Sequence, residues 1–102
     1  MDFQQLMQQA RNIQEKMADV QNELATKEVT ATVGGGMVSV TVNGRHEVVD
    51  LKIDPEIITK DDPQMLHDLI KAAVNEGMKK ANEMISGEMA KLTGGMNIPG
   101  LF

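Results

Sequence analysis

GGGMVSVTVNG, residues 34–44, combines three consecutive glycines, a run of alternating valines and hydroxyl residues, and an Asn-Gly dipeptide. Because successive residues of a strand point to opposite faces of a sheet, the alternation places Val38, Val40 and Val42 on one face. The glycines supply backbone with positive φ where one strand gives way to the next. This stretch therefore predicts the middle of a β-meander.

Two more apolar rows with the same two-residue spacing flank this strand. They are Val29, Ala31 and Val33 before the glycines, and Val49, Leu51 and Ile53 after the turn. The residues between them are threonine, aspartate and lysine, which suit a solvated face. Three such rows predict a three-stranded antiparallel sheet with one buried face.

The turn between the second and third strands has two candidate forms. The dipeptide at residues 43–44 favours a two-residue type I′ hairpin, but that hairpin would place Arg45 on the buried face. A four-residue connection, residues 43–46, instead sets Val40 opposite Val49 and keeps charges out of the core. We predict the longer turn and this register.

The N-terminal segment is predicted to be a helix from an N-cap at Asp2 to about Ala25. Its apolar residues are spaced alternately three and four apart, and they are Phe3, Leu6, Ala10, Ile13, Met17, Val20 and Leu24. This heptad spacing predicts a narrow apolar seam that packs against another helix.

A second long helix is predicted to begin at Asp62 and Pro63, an N-cap followed by proline at the first helical position, and to end before Gly94. Its apolar stripe comprises Leu66, Leu69, Ile70, Ala73, Val74, Gly77, Ala81, Met84, Ile85, Met89 and Leu92. A glycine inside a helix is unfavourable, so Gly77 predicts a close contact with another helix or a bend.

These elements predict one α+β domain, residues 1–102, with residues 94–102 as a flexible Gly-rich apolar tail. A compact chain of this length has a radius of gyration of about 13 Å and a body roughly 33 Å across. The second helix, about 30 residues, would be roughly 45 Å long and would overhang that body. The apolar stripe along the overhang predicts a symmetric homodimer with an interface at Val20, Leu24, Met84 and Ile85.

Composition limits the class of protein. The chain has ten Lys and Arg and fifteen Asp and Glu, which gives a net charge of −5. It has no cysteine, which excludes a disulfide framework. The chain shows no secretory signal and no uninterrupted apolar segment of about 18 residues. We therefore expect a cytoplasmic protein that does not enter a membrane.

Motifs for catalysis are missing as well. His46 and His67 stand in no arrangement that would supply a nucleophile or metal ligands, and Asp61 and Asp62 suit a helix N-terminus. The glycine triplet lacks the Gly-Lys-Ser/Thr ending of a phosphate-binding loop, and it leads into a strand. We predict that the protein is not an enzyme and holds no cofactor or metal.

Four short motifs occur in the order and spacing that are typical of a known family. They are GGGMV at residues 34–38, VTVNG at 40–44, IDPE at 53–56 and GGMNIPG at 94–100. Together, and between two long helices, they resemble the YbaB/EbfC family of bacterial nucleoid-associated proteins. The resemblance implies a homodimer in the cytoplasm, associated with the nucleoid, whose helical arms project and bind double-stranded DNA and thereby influence nucleoid organisation and gene expression.

On this resemblance, the cations on the two long helices are the expected DNA contacts: Arg11, Lys16, Lys79 and Lys80. The charge pattern does not independently indicate DNA binding, since no segment is basic overall. Exposed ion pairs with neighbouring carboxylates explain the same cations equally well: Glu15 and Asp19 on the first helix, Glu76 and Glu83 on the second.

The alternative function is a non-catalytic protein-interaction module associated with DNA replication or recombination proteins. In that hypothesis the acidic surface, the methionine-rich helix stripe and the apolar tail at residues 98–102 contact another protein.

Overall fold

The computed structural model describes residues 2–93. In chain order the elements are α1 (Phe3–Thr26), β1 (Glu28–Val33), β2 (Val38–Asn43), β3 (Val48–Ile53) and α2 (Pro63–Thr93), with short 3₁₀ turns at Gly34–Gly36 and Pro55–Ile57. The three strands form one antiparallel sheet in the order β1-β2-β3. The predicted α+β arrangement of helix, meander and helix is confirmed.

Both predicted N-caps are present. At the start of α1 the Asp2 carboxylate accepts the backbone N–H of Gln5 at 2.8 Å. At the start of α2 the Asp62 carboxylate accepts the N–H of Met65 at 3.0 Å, and Pro63 is the first helical residue. These bonds satisfy N–H groups that have no partner inside the helix. The predicted glycine stop of α2 lies outside the described residues.

The glycine triplet has the backbone conformation that its composition predicts. The φ angles of Gly34, Gly35 and Gly36 are 63°, 67° and 100°, a region that side chains disfavour. A Cβ on Gly34 would also lie 3.0 Å from a methyl group of Leu69 on α2. The triplet therefore reverses the chain between β1 and β2 and lets α2 approach the reversal closely.

The predicted register of β2 against β3 is wrong by two residues. Val40 lies opposite Leu51 rather than Val49, and a bulge shifts the pairing so that Val42 lies opposite Val48. Apart from the bulge, a slip of two residues leaves the side chains on their predicted faces, because the side-chain repeat of a strand is two residues. The apolar pattern alone could not distinguish these two registers.

The connection between β2 and β3 is organised by Asn43, a buried polar residue. Its side-chain oxygen accepts the backbone N–H groups of Arg45 and Glu47, at 2.9 Å and 3.1 Å. Its backbone N–H also donates to the carbonyl of Glu47 at 3.0 Å, and His46 takes a positive φ of 60°. The two-residue hairpin is therefore absent, as expected, and the connection has the predicted four residues, although it spans residues 44–47 rather than 43–46.

Gly44 is needed for a close contact with α1 and not for a two-residue hairpin. Its backbone N–H donates to the carbonyl of Leu24 at 2.9 Å, near the C-terminus of α1, where carbonyl groups lack partners inside the helix. A Cβ on Gly44 would lie 2.3 Å from that carbonyl oxygen. The missing side chain thus allows the turn to cap α1.

Helix α2 packs mainly on β1 and β2. The buried apolar residues form one cluster: Ala31, Val38, Val40, Val42, Ile57, Ala73 and Ala81. Gly77 faces the sheet, where a Cβ would lie 2.7 Å from Val40 Cγ1. The predicted close contact at this glycine is present, but its partner is the sheet and not another helix.

The third apolar row is not buried in the single chain, contrary to expectation. Val49 and Leu51 on β3 are 48% and 43% exposed, and Ile53 is half-buried. The reason is the position of α2, which covers the other two strands.

The expected compact shape is also wrong. The radius of gyration is 19.5 Å against the expected ~13 Å, and the molecule measures 70 × 22 × 16 Å. Residues 3–16 of α1 are all exposed, so this half of the helix projects beyond the body. Neither helix in the described part of the chain is long and apolar enough to span a membrane.

Candidate nucleic-acid interface

Arg11 and Lys16 lie on the projecting half of α1 and are exposed. They are five residues apart, which places them roughly 140° apart around the helix axis. The ion pairs that the sequence offered them, with Glu15 and Asp19, are not among those formed within residues 2–93. Both cations are therefore available to an external anion on different sides of the arm.

Lys79 and Lys80 are exposed on the middle of α2, and they differ in their contacts. The Lys80 ammonium group donates to the backbone carbonyl of Thr30 on β1 at 3.1 Å. Lys79 has no partner in the described part of the chain, and the expected pairs with Glu76 and Glu83 do not form there. Lys79 is consequently the more available of the two cations for an external anion.

An ion cluster joins the end of α1 to α2. Glu88 accepts a hydrogen bond from Lys27 at 2.6 Å and contacts Lys91 at 3.3 Å, while Lys27 also lies 3.5 Å from Glu23. The hydrogen bond from Lys27 lowers the pKa of Glu88, and the same bond raises the pKa of Lys27. Both lysines of the cluster are thus neutralised by carboxylates within the chain.

The Lys91 pair was visible in the sequence, because its partner is three residues away. Lys27 was not singled out, since Glu88 follows it by 61 residues and no local pattern links the two. The local signals are its position one residue after α1 and Glu23 four residues before it.

The four residues expected at a dimer interface belong to the second half of α1 and to α2, two helices that contact each other. Leu24 is already buried within the single chain at 4% exposure, whereas Val20, Met84 and Ile85 are half-buried. The rest of the α1 seam is more exposed, with Phe3 at 75%. Most of the apolar surface of the arm is therefore left uncovered by its own chain.

Within residues 2–93 no group of three or more His, Asp or Glu side chains is arranged to hold a metal ion. The available chemistry is that of exposed cations on helices and of uncovered apolar surface.

Comparison with known proteins gives the family. The family model described as the YbaB/EbfC DNA-binding family matches residues 1–96. A nucleoid-associated protein of Clostridium acetobutylicum is 57% identical over 94% of this chain and 86% of its own length. A nucleoid-associated protein of a Thermoanaerobacter species is 53% identical, covering 95% of this chain and 87% of the relative.

The fold agrees with a solved structure. The crystal structure of an uncharacterized protein from Helicobacter pylori superimposes with a TM-score of 0.81 at 29% identity, covering 90% of this chain and 97% of that one. Since the family model spans almost the whole sequence and relatives reach 57% identity, the chain belongs to the YbaB/EbfC DNA-binding family, a family of DNA-binding proteins and not of enzymes.

Proposed function

We propose that this protein is a nucleoid-associated homodimer that binds double-stranded DNA mainly through phosphate contacts, with modest sequence preference. The observation that carries the proposal is the exposure of Arg11 and Lys16, without ion-pair partners, on a helix that projects from the body. Lys79 adds a third free cation on α2. Family membership and the names of the relatives support DNA as the ligand.

Phosphate contact suits this chain better than base recognition. The available cations are dispersed along two helices, and phosphate contacts position a protein without reading the sequence. A net charge of −5 requires that any attraction be local. A homodimer brings two copies of each cation to one duplex, which strengthens a local field that a single chain supplies weakly.

Uncovered apolar surface supports the homodimer. The α1 seam and the third strand expose Phe3, Leu6, Ile13, Val48, Val49 and Leu51. Apolar surface of this extent is costly in water, and a second copy is the one partner that is always present at equal concentration. Light scattering should therefore give about twice the chain mass of 11.2 kDa at micromolar concentration.

The proposal is tested by titrating purified protein against two unrelated fluorescent duplexes at several salt concentrations. Both duplexes should bind with similar affinity, and the affinity should fall steeply with salt, because phosphate binding releases counterions. Failure to bind either duplex at low salt would overturn the proposal, and a strong preference for one duplex would overturn the phosphate mechanism. An influence on nucleoid organisation and gene expression would follow from such binding.

One observation favours a second function, a protein-interaction module for DNA replication or recombination proteins. The projecting half of α1 is apolar along its seam and mostly uncharged beside it, as glutamines fill positions 8, 9 and 14. A helix of this kind fits a groove on another protein. Absence of DNA binding together with a stable dimer would favour this function over the first.

A further inference from the structure

The chain contains one asparagine-glycine sequence, residues 43–44, at the end of β2. Asparagine loses its side-chain ammonia most readily before glycine, because glycine has no side chain to hinder attack by its own backbone nitrogen. The other asparagines precede isoleucine or glutamate, and they are Asn12, Asn22, Asn75, Asn82 and Asn97. Residues 43–44 are therefore the one place in this sequence where deamidation is intrinsically fast.

The reaction joins two groups that are adjacent in the sequence. Hydroxide removes the proton of the Gly44 backbone N–H, and the nitrogen then bonds to Cγ of Asn43. The Cγ–Nδ2 bond of Asn43 breaks, and ammonia leaves after it has taken a proton from water, which regenerates the hydroxide. Water opens the resulting cyclic imide at either carbonyl and gives aspartate or isoaspartate. Each event consumes one water molecule and releases one ammonia molecule.

In the folded chain the attacking nitrogen is held by the end of α1. The Gly44 N–H donates to the carbonyls of Leu24 and Lys27, at 2.9 Å and 3.2 Å. The helix end lies so close that a Cβ on Gly44 would be 2.3 Å from the Leu24 carbonyl oxygen. The proton that hydroxide must remove is therefore directed at two carbonyls of the protein and not at water.

The side chain that is attacked is fixed as well. Asn43 is 7% exposed, its Oδ1 accepts the N–H groups of Arg45 and Glu47, and its Nδ2 donates to the Glu47 carboxylate at 3.0 Å. Its backbone belongs to β2 and pairs with Glu28 on β1. An extended residue must rotate about its Cα–C bond before the next nitrogen can reach Cγ. Ring closure therefore requires the end of β2 to open.

We propose that residues 43–44 are a latent deamidation site, which the docking of α1 keeps unreacted. While the carbonyls of Leu24 and Lys27 hold the Gly44 N–H, the site is closed. When the end of α1 separates from the turn, the nitrogen is released, and the dipeptide gains the reactivity that it has in an unfolded chain. Deamidation at residue 43 thus records separation of α1 from the sheet.

The product makes that separation permanent. Isoaspartate adds a methylene group to the backbone just before Gly44, where the α1 carbonyl leaves no space even for a Cβ. Aspartate replaces the amide donor by a carboxylate, which then faces the carboxylate of Glu47 at the position of the former 3.0 Å hydrogen bond. Both products oppose the original contact. The projecting half of α1 continues from this attachment, so its orientation on the body is no longer fixed.

The unaltered protein tests the protection. Samples are incubated at mildly alkaline pH with and without a denaturing concentration of urea, and aspartate and isoaspartate are quantified by peptide mapping and mass spectrometry. Deamidation at residue 43 should be at least roughly tenfold slower in the folded chain, because local opening must come first. The other asparagines should stay unreacted over the same time. Equal rates at residue 43 in the two samples would overturn the proposal.

Hydrogen exchange of the Gly44 amide links the protection to α1. Exchange and ring closure both require this N–H to leave the Leu24 and Lys27 carbonyls, so folding should slow deamidation at least as much as it slows exchange. Slow exchange with rapid deamidation would overturn the proposal. Rapid exchange with slow deamidation would also overturn it, because the contact with α1 would not be the cause. This measurement does not depend on the folding of a variant.

Two variants of α1 separate docking from the chemistry of the dipeptide. Leu24→Ala and Leu6→Ala delete the same side chain, but Leu24 is buried against the turn and Leu6 is 51% exposed on the projecting half. With both variants folded by circular dichroism, Leu24→Ala should raise the rate at residue 43 at least roughly tenfold, and Leu6→Ala should leave it unchanged. A folded Leu24→Ala variant that reacts no faster than the parent would overturn the role of α1.

The reacted chain tests the permanence. After deamidation in urea the protein is returned to native buffer, and its Gly44 amide should exchange at least roughly tenfold faster than in the parent. A chain held in urea only briefly, and confirmed as unreacted by mass spectrometry, is the control. Equal exchange in the two refolded samples would show that α1 docks again on the product and would overturn this part of the proposal.

Discussion

Two glycines in this chain are required by close approach rather than by backbone angle. Gly44 lies against the Leu24 carbonyl and Gly77 lies against Val40, while neither has a positive φ. Gly35 and Gly36 before β2 show the opposite case, since they have open space for a side chain but positive φ. Glycine is thus required for two different reasons in this domain: lack of space for a Cβ at some positions, and positive φ at others.

This difference predicts opposite effects for two helical glycines. Gly77→Ala should lower the free energy of unfolding by about 1 to 3 kcal/mol, because its methyl group would overlap the buried valines. A Cβ at Gly87 would have no heavy atom within 4 Å, so Gly87→Ala should raise the free energy of unfolding by about 0.5 to 1 kcal/mol through helix propensity. Urea unfolding at one fixed protein concentration compares them; equal stability of the two variants would contradict the contact at Gly77.

At the scale of elements, the sheet separates a buried face from a polar one. Val40 is fully buried beneath α2, whereas the hydroxyl of Thr41 on the other face bonds that of Thr30 at 3.0 Å. Neighbouring residues of one strand therefore have very different environments.

Substitutions at these neighbours should differ accordingly. Val40→Asp places an unpaired charge in the core and should cost more than about 3 kcal/mol of stability. Thr41→Lys should cost about 1 kcal/mol or less, because its side chain can extend into solvent. Thermal unfolding monitored by circular dichroism measures both. Equal losses would mean that a partner also covers the polar face.

The ion cluster between α1 and α2 predicts a pH dependence. The lowered pKa of Glu88 means that its ion pairs stabilise the fold above the ordinary value of 4.5, and that this stability is lost as pH falls through the folded-state pKa. The raised pKa of Lys27 has the reverse sign, so its contribution is lost as pH rises beyond the ordinary 10.5. The cluster stabilises the fold between these limits.

Glu88→Gln should therefore flatten the loss of stability on the acid side, below about pH 4.5, relative to the parent. Glu83→Gln, which removes an exposed carboxylate of the same helix without an ion pair in the described chain, is the control. Urea titrations at a series of acidic pH values give the comparison. The prediction fails if the two variants show the same acid profile.

At the scale of the whole molecule, the elongated shape separates two groups of cations. Arg11 and Lys16 belong to the projecting arm, and Lys79 and Lys80 belong to the part of α2 that lies over the sheet. The acidic net charge makes each group a local feature rather than part of a basic surface.

Two double variants test these groups: Arg11→Ala with Lys16→Ala, and Lys79→Ala with Lys80→Ala. For each double variant, the affinity should fall by a similar factor for two duplexes of unrelated sequence. Each should also reduce the slope of log affinity against log salt by roughly 1 for every phosphate that the variant no longer neutralises. Lys60→Ala, in the loop before α2, is the control. Unchanged affinity at every salt concentration in a folded dimer would exclude that pair as a DNA contact.

The sequence by itself determined the features that depend on neighbours along the chain. Both helix starts, the positive φ of the glycines and the buried face of β2 follow from capping chemistry, steric limits and the two-residue repeat. The family could also be predicted, because its motifs are short segments in a fixed order. These features need no knowledge of distant contacts.

The tertiary structure alone decided the rest. The strand register differs from the prediction because a slip of two residues keeps the side chains outside the bulge on the same faces, so the apolar pattern does not select between the two registers. Which strand stays exposed depends on where α2 crosses the sheet, and the partners of Lys27 and Lys80 are 61 and 50 residues away. Such contacts depend on how packed elements meet in space, which no local pattern specifies.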